Sequence, residues 1–355
     1  MSRFFSGKFD ALKPYTPGEQ PRDMRYVKLN TNESPFPPSQ KAIEAAAREA
    51  ERLQLYSDPT CAALTEKLAE VCGVGRDEVI FTNGSDELLY FAFLAYCDEA
   101  RGAAFPNITY GFYPVYAQVT RVPYTEIPLR PDFTVNVEDY LGVGKTIFLA
   151  NPNAPTGIAL KPAEIARIAA ANSDSVVVVD EAYVDFGAES CLPLVREYDN
   201  LLVAQTFSKS RSMAGARLGF GVGNSELIRD LNTLKYSTNP YNINRMTMAA
   251  GLGALSDEAY TRKNALTIRE NRAFATAELE KRGFAVLPSL ANFIFARHPA
   301  VGGEELYRKL KERGVLVRHF TKPEISEYNR ITIGTREQMQ VLLDKVDEIL
   351  EEARR

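Results

Sequence analysis

The sequence contains no tryptophan, two histidines and four cysteines among its 355 residues. Two histidines are too few for a histidine-rich metal site, and they leave a Ser-His-Asp hydrolase hard to assemble. The cysteines, at positions 61, 72, 97 and 191, show neither the spacing of metal ligands nor the density of a disulfide-rich secreted domain. We therefore expect neither a bound metal nor a disulfide.

A net positive charge and long apolar runs are also lacking. The formal net charge is -4, so no overall positive field exists to attract nucleic acid. No apolar segment is long enough to span a bilayer, and the first residues lack the apolar centre of a signal peptide. We expect a cytoplasmic protein without nucleic-acid or membrane partners.

The first two-thirds of the chain predict an α/β fold. The first forty residues are rich in proline and glycine, which predicts an extended arm. Helical patterns follow at 40–54 and 61–72, and short apolar runs then alternate with helical stretches. This alternation predicts a mostly parallel central sheet flanked by helices. The predicted buried strands are 78–82, 102–105, 146–150, 175–180 and 201–205.

The last third predicts a linking helix and a smaller α/β unit. A helical run covers 246–281, and the remainder alternates strands and helices. The predicted strands are 285–287, 293–296, 315–318 and 330–333, and the helices are 304–313 and 338–353. We therefore expect an arm at 1–45 that joins the small domain, a large domain at 46–245, and a linking helix with the small domain at 246–355.

A candidate catalytic lysine follows the last predicted strand of the large domain. Lys209 lies in a segment rich in serine, alanine and glycine, eight residues before Arg217. A lysine that forms an imine must be uncharged part of the time, which partial burial and a nearby cation favour. A lysine in a serine-rich loop is more often a surface residue, so this pattern alone is not specific.

An acid ends the most apolar predicted strand. Asp180 follows four valines, at the carboxyl end of a strand where open α/β sheets bind ligands. A buried carboxylate needs a cationic partner, and a protonated pyridine nitrogen is one such partner. The alternative is an ordinary helix cap after a strand.

Two further loops follow predicted strands of the same sheet. Residues 83–87, Asn-Gly-Ser-Asp-Glu, open an apolar helix whose backbone N–H groups form a phosphate site in outline. Glycine and serine are also ordinary turn residues at such a junction. Residues 151–157 contain two prolines and a glycine, which predicts a rigid loop over the same edge.

Together these motifs resemble those of the fold-type I aminotransferases of the class II subfamily, and among them the histidinol-phosphate aminotransferase family. The resemblance covers nearly the whole chain. It begins at residues 12–18 and 28–35, continues through the motifs above and ends at 329–335. It implies pyridoxal 5'-phosphate (PLP) as cofactor, bound by the large domain, and a homodimer with shared active sites.

The resemblance also implies roles for individual residues. Lys209 binds the cofactor as an imine and later moves the substrate proton, Asp180 pairs with the ring nitrogen, and Tyr183 contacts the phenolic oxygen. Tyr110 stacks on the ring. The residues implied around the cofactor phosphate are Gly84, Ser85, Asp86, Thr206, Ser208, Arg217 and Tyr56 of the partner subunit.

The implied reaction is transamination between histidinol phosphate, an amine, and 2-oxoglutarate, a 2-oxo acid. Arg330 and Arg318 bind the anionic tails of both substrates, because a guanidinium can bind either a phosphate or a carboxylate. Tyr15 of the arm closes over the two arginines. An arginine in an edge strand is otherwise a surface charge.

Other functions stay open. Within the same class, an aromatic aminotransferase and a phosphothreonine-type decarboxylase are alternatives. A non-catalytic regulatory domain is disfavoured, since no basic helix-turn-helix precedes the motifs.

One position departs from the family pattern. The family has a second asparagine before Pro-Thr-Gly, in contact with the phenolic oxygen of the cofactor, and this chain has Ala154 there. Either Asn153 takes over that contact or Tyr183 makes it alone.

Overall fold

The computed structural model describes residues 2–354, so the outermost residues of the predicted ranges 1–45 and 246–355 lie outside it. The described strands form sheets of seven, four and two strands. These strands are β1 (Val27–Lys28), β2 (Val79–Thr82), β3 (Ala103–Pro106), β4 (Tyr124–Ile127), β5 (Thr146–Ala150), β6 (Val177–Asp180), β7 (Leu201–Thr206), β8 (Gly219–Gly223), β9 (Ala285–Val286), β10 (Phe293–Arg297), β11 (Val315–Leu316), β12 (Arg318–His319) and β13 (Asn329–Thr332).

Helices cover these sheets. They are α1 (Gln40–Ala50), α2 (Ala62–Cys72), α3 (Ser85–Tyr96), α4 (Tyr113–Thr120), α5 (Pro162–Ala171), α6 (Ser225–Thr238), α7 (Arg245–Leu255), α8 (Glu258–Lys281), α9 (Gly303–Glu312) and α10 (Arg336–Ala353). None of the helices among the described residues has both the length and the apolar character needed to cross a bilayer.

The seven-stranded sheet confirms the predicted α/β fold with a mostly parallel sheet. Its strand order is β2-β8-β7-β6-β5-β3-β4. Only the pairs made by β8 are antiparallel, with β2 on one side and β7 on the other. The remaining pairs are parallel, so the carboxyl ends of β3, β5, β6 and β7 lie along one edge.

Apolar cores lie on both faces of this sheet. Along β6, Val177 and Val179 belong to one core, while Val176 and Val178 belong to the other. Because successive side chains of a strand point to opposite faces, a continuous valine run buries both faces at once. The same alternation sends Asp180 and Glu181 to opposite faces at the end of the strand.

A third core surrounds the four-stranded sheet, whose order is β12-β13-β10-β9. Leu29 of the arm lies in this core, together with Ile294 and Ile331. The arm also adds β1 to β11 in a parallel pair. The strands of the large and small sheets thus fall within the ranges predicted for two domains, although the boundaries at 45/46 and 245/246 stay a prediction.

Two predicted elements are divided in the structure. The helical run 246–281 consists of α7 and α8, separated where Asp257 adopts a non-helical conformation with φ -134° and ψ 50°. The predicted strand 315–318 consists of β11 and β12, which pair in different sheets. The four cysteines are free, and three of them are buried.

Candidate functional site

A cavity of about 950 Å³ opens at the edge where the parallel strands end. Loops of the large sheet, the arm and the small sheet all line it. It gathers most of the predicted site residues, namely Tyr15, Ser85, Asp86, Tyr110, Asp180, Tyr183, Thr206, Ser208, Lys209, Arg217, Arg318 and Arg330.

Strand register explains why the acid and the lysine share this cavity. Asp180 of β6 is aligned with Ala150 of β5 and Ala204 of β7. Lys209 follows the end of β7 by three residues. Because the strands are parallel and in register, the loops that follow them emerge side by side.

Asp180 is a buried carboxylate with few partners. Its Oδ1 accepts a hydrogen bond from the backbone N–H of Ala182 at 3.1 Å, and its Oδ2 lies 3.4 Å from the Tyr113 hydroxyl. Within residues 2–354 it forms no ion pair with a lysine or arginine. Burial raises its pKa to about 7, and the nearby carboxylate of Asp86 adds to the rise. A cation at this position would stabilise the ionised form.

Lys209 is an amine with reduced basicity. Its Nζ donates to the carbonyl of Thr31 at 3.3 Å and lies 5.7 Å from the centre of the Tyr183 ring. Burial lowers its pKa to about 8, and the positive charges of Arg330 and Arg217 act in the same direction. A substantial fraction of the amine is therefore neutral near pH 8.

The phosphate side of the predicted site is built at the start of α3. The guanidinium of Arg217 pairs with Asp86 at 2.7 Å, and the hydroxyl of Tyr110 donates to the same carboxylate at 2.7 Å. Gly84 precedes the helix with φ 78°, and a Cβ there would stand 2.5 Å from Arg217 Nη2. Only glycine allows the guanidinium to approach the helix start in this way.

Gly219 is a contributor that sequence reasoning missed. It pairs with both Thr82 and Thr206 in the sheet, and a Cβ there would stand 2.3 Å from the backbone nitrogen of Ser85. The absence of a side chain lets the start of α3 lie against β8. The hydroxyls of Thr206 and Ser208, 2.9 Å apart, also line the cavity.

Asn32 of the arm was also missed, although it lies in the segment 28–35 that carries the family resemblance. Its Nδ2 donates to the hydroxyl of Tyr183 at 3.0 Å, and it lines the cavity. Burial raises the pKa of Tyr183, and the positive charge of Arg330 opposes that rise. The tyrosine is therefore neutral at physiological pH, with its hydroxyl held by an arm residue.

Arg330 is a buried cation without an acid. Among the described residues, no Asp or Glu lies within 4.0 Å of its guanidinium. Nη2 donates to the carbonyl of Asn30 at 3.0 Å, Nε has no hydrogen-bond partner, and the rings of Phe293 and Phe320 lie 5.4 and 5.7 Å away. Burial lowers its pKa. Because the guanidinium has no acid partner and a free Nε, it offers a binding site for an anion in the cavity.

The arm closes over this arginine side of the cavity. Arg318 donates to the carbonyls of Thr16 and Pro17 at 3.0 and 3.2 Å. Tyr15 stacks on Phe112 with ring centres 4.2 Å apart. A second arginine and an arm tyrosine thus line the same cavity as Arg330.

Asn153 is not brought into the cavity. Its Nδ2 donates to the carbonyl of Ile108 and to the hydroxyl of Thr156, at 3.0 and 3.1 Å, and its Oδ1 accepts from Thr109 at 2.7 Å. Both amide hydrogens are therefore used, one inside the loop at Thr156 and one on a neighbouring segment at Ile108. Asn153 is thus not among the residues that line the cavity, whereas Ala154 is, and the predicted contact of Asn153 with a cofactor stays a prediction.

Tyr56 lies outside the cavity of its own chain. Its side chain is 79% exposed and stacks on Tyr241 with ring centres 4.6 Å apart. A residue so placed is available to a second copy of the chain, so its predicted role in a dimer stays a prediction.

Known proteins resemble this chain over nearly its whole length. Residues 25–346 match the family model described as aminotransferase class I and II. The chain is 48% identical to histidinol-phosphate aminotransferase 1 of Bradyrhizobium diazoefficiens, over 99% of this chain and 100% of that protein. It is 49% identical to a histidinol-phosphate aminotransferase of Marinomonas sp., over 96% of this chain and 98% of that protein.

Solved structures share the fold. A histidinol-phosphate aminotransferase of Sinorhizobium meliloti, determined in complex with pyridoxal-5'-phosphate, superimposes with a TM-score of 0.90 at 23% identity. The superposition covers 99% of both chains. This likeness establishes the fold of the chain.

Proposed function

Since the chain belongs to the class I and II aminotransferase family, we propose that it is a PLP-dependent histidinol-phosphate aminotransferase. It transfers the amino group of L-histidinol phosphate to 2-oxoglutarate, giving imidazole-acetol phosphate and glutamate in histidine biosynthesis. One observation carries the proposal: a single cavity holds a buried acid without a cation, an amine of lowered pKa, and a buried guanidinium without an acid.

The residues present fit PLP. The Asp180 carboxylate, whose pKa is raised to about 7 by burial, requires a cation, and the protonated ring nitrogen of PLP is one. The start of α3, the Thr206 and Ser208 hydroxyls and the Arg217 guanidinium provide donors for a phosphate. The Asp86 carboxylate is occupied by Arg217 and Tyr110, so Asp86 would face the phosphate through its backbone N–H.

The proposed cofactor contacts follow from these groups. Asp180 would hold the ring nitrogen, Tyr183 the ring oxygen, Tyr110 the ring face and Lys209 the aldehyde carbon. The phosphate would lie among Gly84, Ser85, Asp86, Thr206, Ser208 and Arg217. When bound, PLP draws electrons from the Cα–H bond of the substrate and makes that hydrogen acidic.

Lys209 moves the proton. Its Nζ, with a pKa of about 8, is neutral often enough to accept the hydrogen that leaves Cα and basic enough to hold it. The Thr31 carbonyl, 3.3 Å from Nζ, keeps the amine at the cavity wall. The same Nζ would then donate that proton to the former aldehyde carbon of PLP, after which water releases the oxo product and the amino group stays on PLP.

Arg330 selects substrates with an anionic tail. A planar guanidinium binds a phosphate or a carboxylate through two parallel hydrogen bonds. It would bind the phosphate of histidinol phosphate in one half-reaction and the side-chain carboxylate of glutamate in the other. Arg318 adds a second positive charge, and Tyr15 shields both from water.

A homodimer completes this proposed site. Tyr56 would reach the PLP phosphate bound to the partner subunit, which accounts for an aromatic side chain that is 79% exposed and outside its own cavity. Sedimentation of the active enzyme measures its oligomeric state, and an active monomer would contradict this part of the proposal.

The test is a substrate comparison. Purified protein loaded with PLP is mixed with histidinol phosphate and 2-oxoglutarate, and glutamate is measured. Lys209→Ala serves as the matched control for contaminating activity. We expect glutamate from the wild-type protein alone.

Competing donors decide the substrate. Faster glutamate formation from phenylalanine or tyrosine would assign the protein to aromatic aminotransferases. Release of carbon dioxide from O-phosphothreonine would assign it to the decarboxylases.

A further inference from the structure

We infer that Asn32 is a positioning residue that aims the hydroxyl hydrogen of Tyr183 into the cavity, in a chain that has no amide at position 154. The inference rests on the proposed function, since the ring oxygen of PLP is the group that would accept this hydrogen. It is carried by the contacts that fix the Asn32 side chain.

All the polar atoms of Asn32 are engaged. Its backbone N–H donates to Thr332 Oγ1 at 2.9 Å, and its carbonyl accepts from Asn292 Nδ2 at 2.9 Å. Its Oδ1 accepts from Thr332 Oγ1 at 3.0 Å, and its Nδ2 donates to the Tyr183 hydroxyl at 3.0 Å. The residue is 1% exposed and has φ 56°, a conformation that asparagine tolerates better than most residues.

Thr332 sets the direction of the amide. Its hydroxyl accepts from the Asn32 backbone, so its single hydrogen is free to donate to Oδ1. With Oδ1 turned to Thr332, the opposite end of the amide, Nδ2, faces Tyr183. Turning the amide over would leave the hydroxyl hydrogen of Thr332, which is 2% exposed, without an acceptor among the described residues.

The direction of the amide then fixes the hydrogen of Tyr183. An NH₂ group only donates, so the Tyr183 oxygen must be the acceptor in the contact with Asn32. The single hydroxyl hydrogen is left for another partner. Tyr183 lines the cavity, and within residues 2–354 its hydroxyl has no other hydrogen-bond partner, so that hydrogen is available to a ligand.

Position 154 explains why this arrangement matters. Ala154 belongs to a small apolar cluster with Phe293 and the ring of Tyr183, so this side of the tyrosine offers no amide. The Asn153 amide donates to the Ile108 carbonyl and to the Thr156 hydroxyl instead. Asn32 is therefore the amide that acts on the hydroxyl of Tyr183, and it acts from the arm.

The arm segment formed by residues 30–32 also joins this tyrosine to the rest of the site. The carbonyl of Asn30 accepts from Arg330, and the carbonyl of Thr31 accepts from Lys209. Three consecutive residues thus contact the proposed anion-binding arginine, the lysine and the tyrosine. The two residues that precede Asn32 are thus held by side chains of the same cavity.

The test uses the absorbance of bound PLP as a function of pH. A hydrogen bond donated to the ring oxygen favours its ionised form and lowers the pH midpoint of the absorbance change. Asn32→Asp keeps the size of the side chain but turns the donor into an acceptor, so the Tyr183 hydrogen is drawn away from PLP. We expect the midpoint to rise by about one pH unit, the shift that matches the loss of one hydrogen bond to a charged oxygen.

A double-mutant cycle separates positioning from a general charge effect. The Asn32→Asp shift should vanish in a Tyr183→Phe background, where no hydroxyl hydrogen remains to be aimed. Asn32→Ala and Thr332→Val, which add no charge, should raise the midpoint by a smaller amount. These two variants replace Asn32→Asp in the test if that variant does not fold. An equal shift with and without the Tyr183 hydroxyl would overturn the inference, and so would an unchanged midpoint in all three variants.

The inference and the proposed function fail in different ways. If the wild-type protein does not take up PLP, or takes it up with Lys209→Ala leaving the spectrum unchanged, the proposed function fails. If the wild-type protein binds PLP normally and the Asn32 variants keep its midpoint and its PLP affinity, only the role of Asn32 fails.

Discussion

Asp180 and Glu181 are adjacent buried acids on opposite faces of the large sheet, and their surroundings differ. Glu181 accepts hydrogen bonds from the Ser190 hydroxyl at 2.6 Å, the Cys191 backbone at 2.5 Å and the Gln205 amide at 2.8 Å. Asp180 accepts one at 3.1 Å and a long one at 3.4 Å. The hydrogen-bonding needs of Glu181 are met by the protein, whereas Asp180 is left to interact with a bound ligand.

Two buried arginines show the same contrast. Arg211, behind the lysine loop, lies 3.1 Å from Glu258 and 3.7 Å from Asp185. Arg330, in the cavity, has no acid within 4.0 Å among the described residues. Because an unpaired buried charge is costly, its survival in a folded protein indicates a ligand, whereas a paired charge indicates structure.

The largest effect is expected at Lys209. Lys209→Ala removes the amine that moves the substrate proton, so kcat should fall by at least about 10³-fold. The kcat of Lys209→Arg should fall by the same factor, because this variant keeps a positive charge but lacks the nucleophilic amine. Steady-state rates and the PLP spectrum measure both variants, and activity retained by Lys209→Arg would show that charge alone suffices.

The two acids should respond in opposite ways. Asp180→Asn should lower kcat by about 10²-fold, because the ring nitrogen of PLP loses its anionic partner. Without cofactor, this variant should be at least as stable as the wild-type protein. Glu181→Gln should cost about 1–3 kcal/mol of unfolding free energy, since hydrogen bonds that need a carboxylate oxygen are lost, and should keep most activity. Chemical denaturation and steady-state assays measure both variants. A loss of stability in Asp180→Asn together with a loss of activity in Glu181→Gln would contradict the comparison.

The two arginines sharpen the comparison on the substrate side. Arg330→Gln should lower kcat/KM for histidinol phosphate and for 2-oxoglutarate by about 10²-fold each, with little loss of stability. Arg211→Gln should instead lower the unfolding free energy by about 2 kcal/mol. If Arg330→Gln affected one substrate only, the guanidinium would not serve both half-reactions.

The last prediction concerns the pH dependence of stability. The pKa of Asp180 is raised from 3.8 in the unfolded chain to about 7 by burial, so between these values the folded state binds more protons than the unfolded state. Cofactor-free wild-type protein should therefore lose stability as the pH rises from 4 to 7. Denaturation of Asp180→Asn over the same range should lack this component, and identical pH profiles for both proteins would contradict the assignment.

The sequence predicted those parts of the fold whose signal is local. The valine run of β6 and the apolar runs of β5 and β7 predict buried parallel strands because both faces are covered. β4 was missed because three of its four residues are exposed at the sheet edge. β8 was missed because it contains three glycines, and one of them, Gly219, is explained only by its contact with α3.

The site was predicted where a residue follows a strand and missed where it depends on distant contacts. Asp180 and Lys209 could be placed because parallel strands end at one edge. The orientation of Asn32 could not, since it depends on Thr332 and Asn292, 300 and 260 residues away in the sequence. For Asn153 the motif does not specify the geometry of the loop, which turns the amide to Ile108 and Thr156 rather than to the cavity.

The account depends on PLP joining the protein at Lys209. Borohydride reduces the imine between a lysine and PLP to a stable amine, and mass spectrometry of the digested protein then locates the label. We predict that the label lies on the peptide containing Lys209 and is absent from Lys209→Ala. A label on another lysine, with the Lys209 peptide unmodified, would contradict the account.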